Sequence, residues 1–179
     1  MERSLEGNYI ESIIYYTKHL IKGKIIHEDL SKANKYLSII KSSKDKRSFL
    51  IQGLISYKQN KFKEACKYFE TGSKIGEIES MYKYGKLLFI GEGTRRNTKK
   101  SIKQFKNSKE QGYKKSEYFL RTFNKMSEFK QFSTIPPETQ LIIITNNVKN
   151  LENNEKSLEF DQIIISPRKT EKLFFNKSL

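Results

Sequence analysis

Apolar side chains recur along the first 130 residues with the three- and four-residue spacing of amphipathic helices. Tyr84, Leu87 and Leu88 share one helical face, and Ala65 and Phe69 share another with Tyr68. This spacing is helical rather than the alternation of apolar and polar residues that marks a half-buried strand. The pattern predicts an all-α body built from short helices.

The helices repeat in pairs. The segment that begins at Ser12 aligns without a gap with the segment that begins at Ser80, and a shorter copy begins at Ser48. The copies measure 36, 32 and 36 residues, and the middle one has a turn four residues shorter. Ser116 opens a fourth, incomplete copy. We predict a repeat domain over 6–132, with repeats at about 8–45, 46–77 and 78–113 and a terminal helix at 116–130.

Glycines stand at two recurring places in the repeat. Gly53 and Gly85 lie inside predicted helices, where glycine costs about 1 kcal/mol relative to alanine. Their presence predicts that a neighbouring helix comes too close for a larger side chain. Gly76 and Gly112 follow the second helix of a pair, where a left-handed residue commonly ends a helix.

The third copy resembles a Sel1-like repeat in residues 80–85, 91–97 and 101–105 and in Gly112. The resemblance covers about residues 8–130. It implies a right-handed α–α superhelix of about three helix pairs and a terminal helix, similar to tetratricopeptide repeats with a longer turn inside each pair. It also implies an adaptor or scaffold that assembles other proteins, in settings that include signalling and protein quality control, and not an enzyme.

One side of the predicted first helices carries an excess of positive charge. Positions −1, +6 and +10 from the recurring serine fall within about 40° of one another on a helix. The resemblance to tetratricopeptide stacks implies that this stripe lines the concave surface, where we expect a protein or peptide partner, acidic in character. The basic members of the stripe are Lys18, Lys22, Arg47, Lys58, Lys86 and Lys115.

The net charge of +15 keeps a second class of partner open. Residues 1–132 hold 29 Lys or Arg against 14 Asp or Glu, and 95–115 are the most basic stretch. The alternatives are an RNA- or anionic-surface-binding protein and a targeting fragment of a larger signalling protein. Lysines outnumber arginines and tryptophan is absent, which disfavours specific nucleic-acid recognition. The candidate basic patch comprises Arg95, Arg96, Lys99, Lys103 and Lys106.

Other candidate chemistry is weak. Gly91-Glu-Gly93 follows a helix and lacks a Gly-Lys-Ser/Thr ending, which favours a structural turn over a phosphate loop. His19 and His27 match no metal-ligand or catalytic spacing, and Cys66 lies on an apolar helical face. We therefore predict no catalytic residue, metal or cofactor. The absence of a secretory signal or a long apolar run predicts a soluble, cytoplasmic protein without a transmembrane segment.

The pattern changes after residue 132. Residues 133–179 hold six Lys or Arg against six Asp or Glu, and Ile135-Pro136-Pro137 is typical of a helix break. Residues 141–145 and 160–166 are short β-branched runs that predict two strands. We predict a weakly β or poorly ordered C-terminal tail over 133–179.

Overall fold

The computed structural model describes residues 2–128 and 133–153, with side chains at 9–128 and 133–146. This part of the chain is all-α, which confirms the predicted fold class of the body. None of its helices is both long and apolar enough to span a membrane. The helices are α1 (Glu2–Lys22), α2 (Leu30–Ser42), α3 (Arg47–Lys58), α4 (Phe62–Lys74), α5 (Ile78–Ile90), α6 (Thr98–Glu110), α7 (Lys114–Ser127) and α8 (Pro137–Asn153).

Three successive pairs have the predicted unequal turns. The turn between α1 and α2 covers 23–29 and the one between α5 and α6 covers 91–97, whereas α3 and α4 are joined by 59–61 alone. Gly23 and Gly91 begin the long turns with φ of 64° and 86°, in the left-handed region that favours glycine. Asn60, with φ 59°, makes the short turn, as asparagine does more readily than most residues.

The ends of the pairs are equally regular. Gly76 and Gly112, directly after the C-caps of α4 and α6, have φ of 78° and 82°. Lys44 occupies the same place in the first copy with φ 57°, although it is not a glycine. All three copies therefore reverse direction through a left-handed residue at the predicted position.

Small residues form the joints between pairs. Ser48, Ser80 and Ser116 are buried near the starts of α3, α5 and α7, whereas Ser12 is exposed on α1, which no described helix precedes. A Cβ added at Gly72 would lie 2.7 Å from that of Ser80, and the hydroxyls of Ser108 and Ser116 are hydrogen-bonded. The joints between α4 and α5 and between α6 and α7 are thus made by small residues eight positions apart.

The glycines inside the helices lie against a neighbouring helix, as predicted, and the group that they meet there is an aromatic ring. A Cβ at Gly53 would stand 2.5–2.9 Å from three ring atoms of Phe69, and one at Gly85 would stand 3.0–3.3 Å from Phe105. The first copy has Thr17 and the smaller Leu37 at the same two positions. In the second and third pairs a ring of the second helix therefore packs directly onto a glycine of the first helix.

The strand predicted at 141–145 is wrong, because these residues lie in α8. Leu141 and Ile144, three residues apart, are buried against α5 and α7, and the intervening Ile142 is half exposed. Pro137 begins the helix, at a position where proline is favoured because its missing N–H would have no partner. The strand predicted at 160–166 lies outside the described residues.

Candidate functional site: the inner face of the stack

The first helices of the pairs form one side of the molecule, which we call the inner face. The helix α3 lies between α1 and α5 and contacts both. Lys18 on α1 nevertheless forms an ion pair with Glu79 on α5. The axes of two helices in contact are about 8–10 Å apart. Side chains on α1 and α5 can therefore meet across α3 only where the three helices curve towards that side. The inner face is therefore concave.

The predicted basic stripe lies on this face, but several of its members are engaged within the protein. Lys18 is paired with Glu79, Lys58 with Glu28, and Arg47 with both Glu11 and Asp45. The hydrogen bonds of Asp45 are the main reason that the pKa of Arg47 lies above its ordinary value. Much of the predicted positive charge is thus balanced by carboxylates from other turns and helices.

The remaining members of the stripe are Lys22, Lys86 and Lys115. Lys22 and Lys115 are exposed, and the Lys86 ammonium lies 6.0 Å from the centre of the Tyr82 ring. The charges of the stripe are therefore in different environments, and its role in binding a partner stays a prediction.

The helix α8 covers the C-terminal half of the stripe on α7. Thr122 and Met126, at stripe positions of the fourth copy, are buried, whereas Arg121, at the position of Gly53 and Gly85, is exposed. If α8 packed on α7 as the second helix of a pair packs on the first, it would cover Arg121 instead. Because α8 also contacts α5, it lies along the inner side of these first helices.

Lys83 is the most unusual residue on the inner face, and sequence reasoning missed it. It stands three positions after the repeat serine, where the second and fourth copies have the fully buried Ile51 and Phe119. Lys83 is partly exposed, and its ammonium has no hydrogen bond or ion pair with another described residue. The residue types at this position in the different copies would have identified Lys83 from the sequence.

Several charges surround Lys83. Burial is the main reason that its pKa lies below the ordinary value of lysine, and the nearby Lys22, Lys18 and Lys115 lower it further. Glu79, one helical turn earlier, acts in the opposite direction. Burial raises the pKa of Glu79, but Lys18, Lys83 and Lys22 outweigh this effect and leave that pKa below its ordinary value. The cluster thus combines four ammonium groups with one carboxylate.

The second predicted patch lies on α6 and the turn before it, and not on the first helices. Arg95 and Arg96 are exposed in the turn before α6, and Lys99, Lys103 and Lys106 are exposed on α6. Among the described residues, none of these five forms an ion pair. These five residues therefore form an exposed cationic surface on α6 and the turn before it.

The turn that carries Gly91-Glu-Gly93 is structural, as predicted. Gly93 lies so close to the backbone carbonyl of Phe62 that no Cβ would fit. The Tyr57 hydroxyl donates a hydrogen bond of 2.8 Å to Glu92. The turn is thus held against the preceding pair, and its backbone is used for packing.

The other candidate residues have different environments, and the buried Nδ1 of His19 has no hydrogen-bond partner among the described residues. His19 packs against the Tyr15 ring at 4.5 Å between centroids, and His27 is exposed. Cys66 is buried, and burial raises the pKa of its thiol, which disfavours the reactive thiolate. Within the described ranges, no group of three or more His, Cys, Asp or Glu residues is arranged to hold a metal ion.

Comparisons with known proteins give one structural similarity to report. A scan of protein families finds no match, and a search of curated proteins finds no relative. A search of solved structures finds a protective antigen present in uropathogenic Escherichia coli strains, described as displaying an SLR (Sel1-like repeat) fold. The similarity covers 69% of this chain at 16% sequence identity, with a TM-score of 0.49. This chain spans 28% of the length of that structure.

Proposed function

Since the chain folds as a stack of helix pairs of the Sel1-like kind, we propose that it is an adaptor that binds a partner polypeptide on its inner face. The observation that carries this proposal is the position of α8. This helix places Leu141 and Ile144 against first helices α5 and α7, so the inner side of the stack already accepts a polypeptide segment. No other described helix covers α1, α3 and the first half of α5 on this side, and this part would receive a second segment.

The charge of this part of the inner face favours an acidic partner. Lys22 is exposed there, and the Lys83 ammonium has no partner among the described residues. Opposite charge accelerates encounter and selects among partners, while apolar contacts supply most of the affinity. The half-buried Leu54 on α3 lies in the same stripe and offers such an apolar contact.

The experiment is a selection from a displayed library of random dodecapeptides on the immobilised protein. Two variants with the same change in charge are compared: Lys22→Glu/Lys58→Glu on the inner face and Lys99→Glu/Lys103→Glu on α6. All four lysines are exposed, so both variants should keep the helical circular-dichroism spectrum. We expect the inner variant to weaken binding of the selected peptides about tenfold or more and the α6 variant to leave it nearly unchanged. Equal loss in both variants, or a selection that enriches no peptide, would contradict the proposal.

A second candidate function is binding of a polyanion on the outer side. The helices α4 and α6 adjoin there, since Lys100 reaches Glu70 and Ser73 donates to Gln104. They expose Lys63, Lys67, Lys99, Lys103 and Lys106. A 20-nucleotide oligouridylate separates the two functions. If this surface acts, binding weakens steeply with salt and is lost in Lys99→Glu/Lys103→Glu, whereas the inner variant retains it.

A further inference from the structure

The first three copies of the repeat differ clearly at the position three residues after the repeat serine. The side chain there is Tyr15 in the first copy, Ile51 in the second and Lys83 in the third. Ile51 is fully buried, as is Phe119 in the fourth copy. An apolar side chain is therefore the stable choice at this place, and a lysine loses hydration there without gaining a partner among the described residues. The stability of the fold does not explain Lys83.

The neighbours of Lys83 increase this cost instead of relieving it. Lys18 and Lys22 reach it from α1 and Lys115 from α7, and Glu79 is the opposing carboxylate. Because Glu79 is already paired with Lys18, its charge is shared between two ammonium groups. Lys83 and Lys22 therefore give the cluster a local excess of positive charge in a concave, partly dehydrated surface, where an anion is attracted more strongly than at a flat one.

We propose that Lys83 is the centre of an oxyanion-binding site on the inner face, flanked by Lys22 and Lys115. The ligand is a carboxylate or phosphoryl group carried by a bound polypeptide segment. This inference rests on the proposed function and specifies which chemical group of the partner the inner face recognises. Such a group would restore to Lys83 the hydrogen bonds that burial removes, so the lysine serves recognition and not folding.

Two substitutions in the cluster have opposite expected effects on binding. Lys83→Met removes the central cation and puts an apolar side chain where two other copies have one. Affinity for a fluorescent hexaglutamate peptide should fall about tenfold or more, with a melting temperature equal to or above that of the native protein. Glu79→Gln removes the competing carboxylate, so affinity should rise about threefold or more while the melting temperature falls. A merely structural role of Lys83 would lower stability and binding together.

The control is Lys103→Met, which removes one exposed lysine from α6 and should change affinity by less than about twofold. Hexaglutamine and a phosphoserine-containing peptide of equal length identify the preferred group. Tighter binding of either acidic peptide supports the site. Equal binding of all three peptides, or equal losses in Lys83→Met and Lys103→Met, would overturn it. If Lys83→Met does not fold, the sign of the Glu79→Gln effect decides, because weaker binding in that variant also overturns the site.

The outcome is separable from that of the peptide selection. Selected dodecapeptides that bind the inner face of Lys83→Met as tightly as that of the native protein would overturn the oxyanion site and leave polypeptide binding intact. Binding of hexaglutamate that depends on Lys83 would support the anion site. If the selection then enriches no peptide, the adaptor function is contradicted.

Discussion

The close contact between Gly53 and Phe69 makes Gly53→Ala an informative perturbation. Alanine in the interior of α3 gains about 1 kcal/mol over glycine in helix propensity. The added Cβ, however, would lie 2.5–2.9 Å from three atoms of a rigid ring that is 2% exposed. Overpacking of this kind costs about 1–3 kcal/mol, and a buried ring places the cost near the upper limit. The free energy of unfolding should therefore fall by about 1–2 kcal/mol in Gly53→Ala.

Gly85→Ala provides the matched control, because its Cβ would lie 3.0–3.3 Å from the Phe105 ring. There the propensity gain and a smaller packing cost should cancel to within about 1 kcal/mol. For a chain of this length about 1 kcal/mol corresponds to roughly 2–4 °C, so Gly53→Ala should lower the melting temperature by roughly 2–8 °C. Thermal unfolding followed by circular dichroism measures both variants.

A double-mutant cycle tests the cause as well as the size of the effect. Phe69→Leu gives the second copy the side chain that the first copy has at Leu37, opposite Thr17. In that background Gly53→Ala should cost less than it does alone, because the ring that it meets is gone. The explanation is refuted if Gly53→Ala melts at or above the native temperature, or if the cost is the same with Phe69 and with leucine.

Three further predictions concern the turn, the last helix and a hydrogen-bonded phenol. Lys44→Gly should raise the free energy of unfolding in urea by about 1 kcal/mol, because Lys44 is left-handed where Gly76 stands in the next copy; a loss would contradict this account. Ile144→Ala should lower the same quantity by about 2–5 kcal/mol, and a neutral result would show that α8 is not packed as described. Burial and the hydrogen bond to Glu92 raise the pKa of Tyr57 to about 12, so Tyr57→Phe should remove one late step from the alkaline absorbance titration. Between about pH 10 and 12 the unfolded chain releases this proton first, so stability should fall with rising pH less in Tyr57→Phe than in the native protein.

The repeat fold was predictable because it depends on residues whose spacing is visible in the chain. Ser48 and Ser80 mark equivalent starts, and Gly76 and Gly112 mark equivalent ends, so the register and the unequal turns follow from counting. The helix α8 was not predictable in the same way. Four consecutive apolar residues at 141–144 show no period, and the preceding prolines signal a break as well as a start.

The inner face was predictable as a surface but not in its electrostatics. Helical geometry indicates which side Lys18 and Glu79 share, yet not that they meet across an intervening helix. Because the chain contains many lysines, composition alone does not distinguish one lysine from another. Lys83 is distinguished by a property that composition does not contain, namely the dehydration of a position where Ile51 and Phe119 are core residues.

The placement of α8 limits how much of a partner this molecule can hold. The surface from α1 to α5 that no described helix covers spans two helix spacings, about 16–20 Å. An extended chain rises about 3.3 Å per residue, so about five or six residues cross it. Under the proposed function, the ligand is a short linear motif instead of a folded domain. A partner that repeats the motif along its sequence would then collect several copies of this protein, and avidity, not the strength of one contact, would set how firmly the assembly holds.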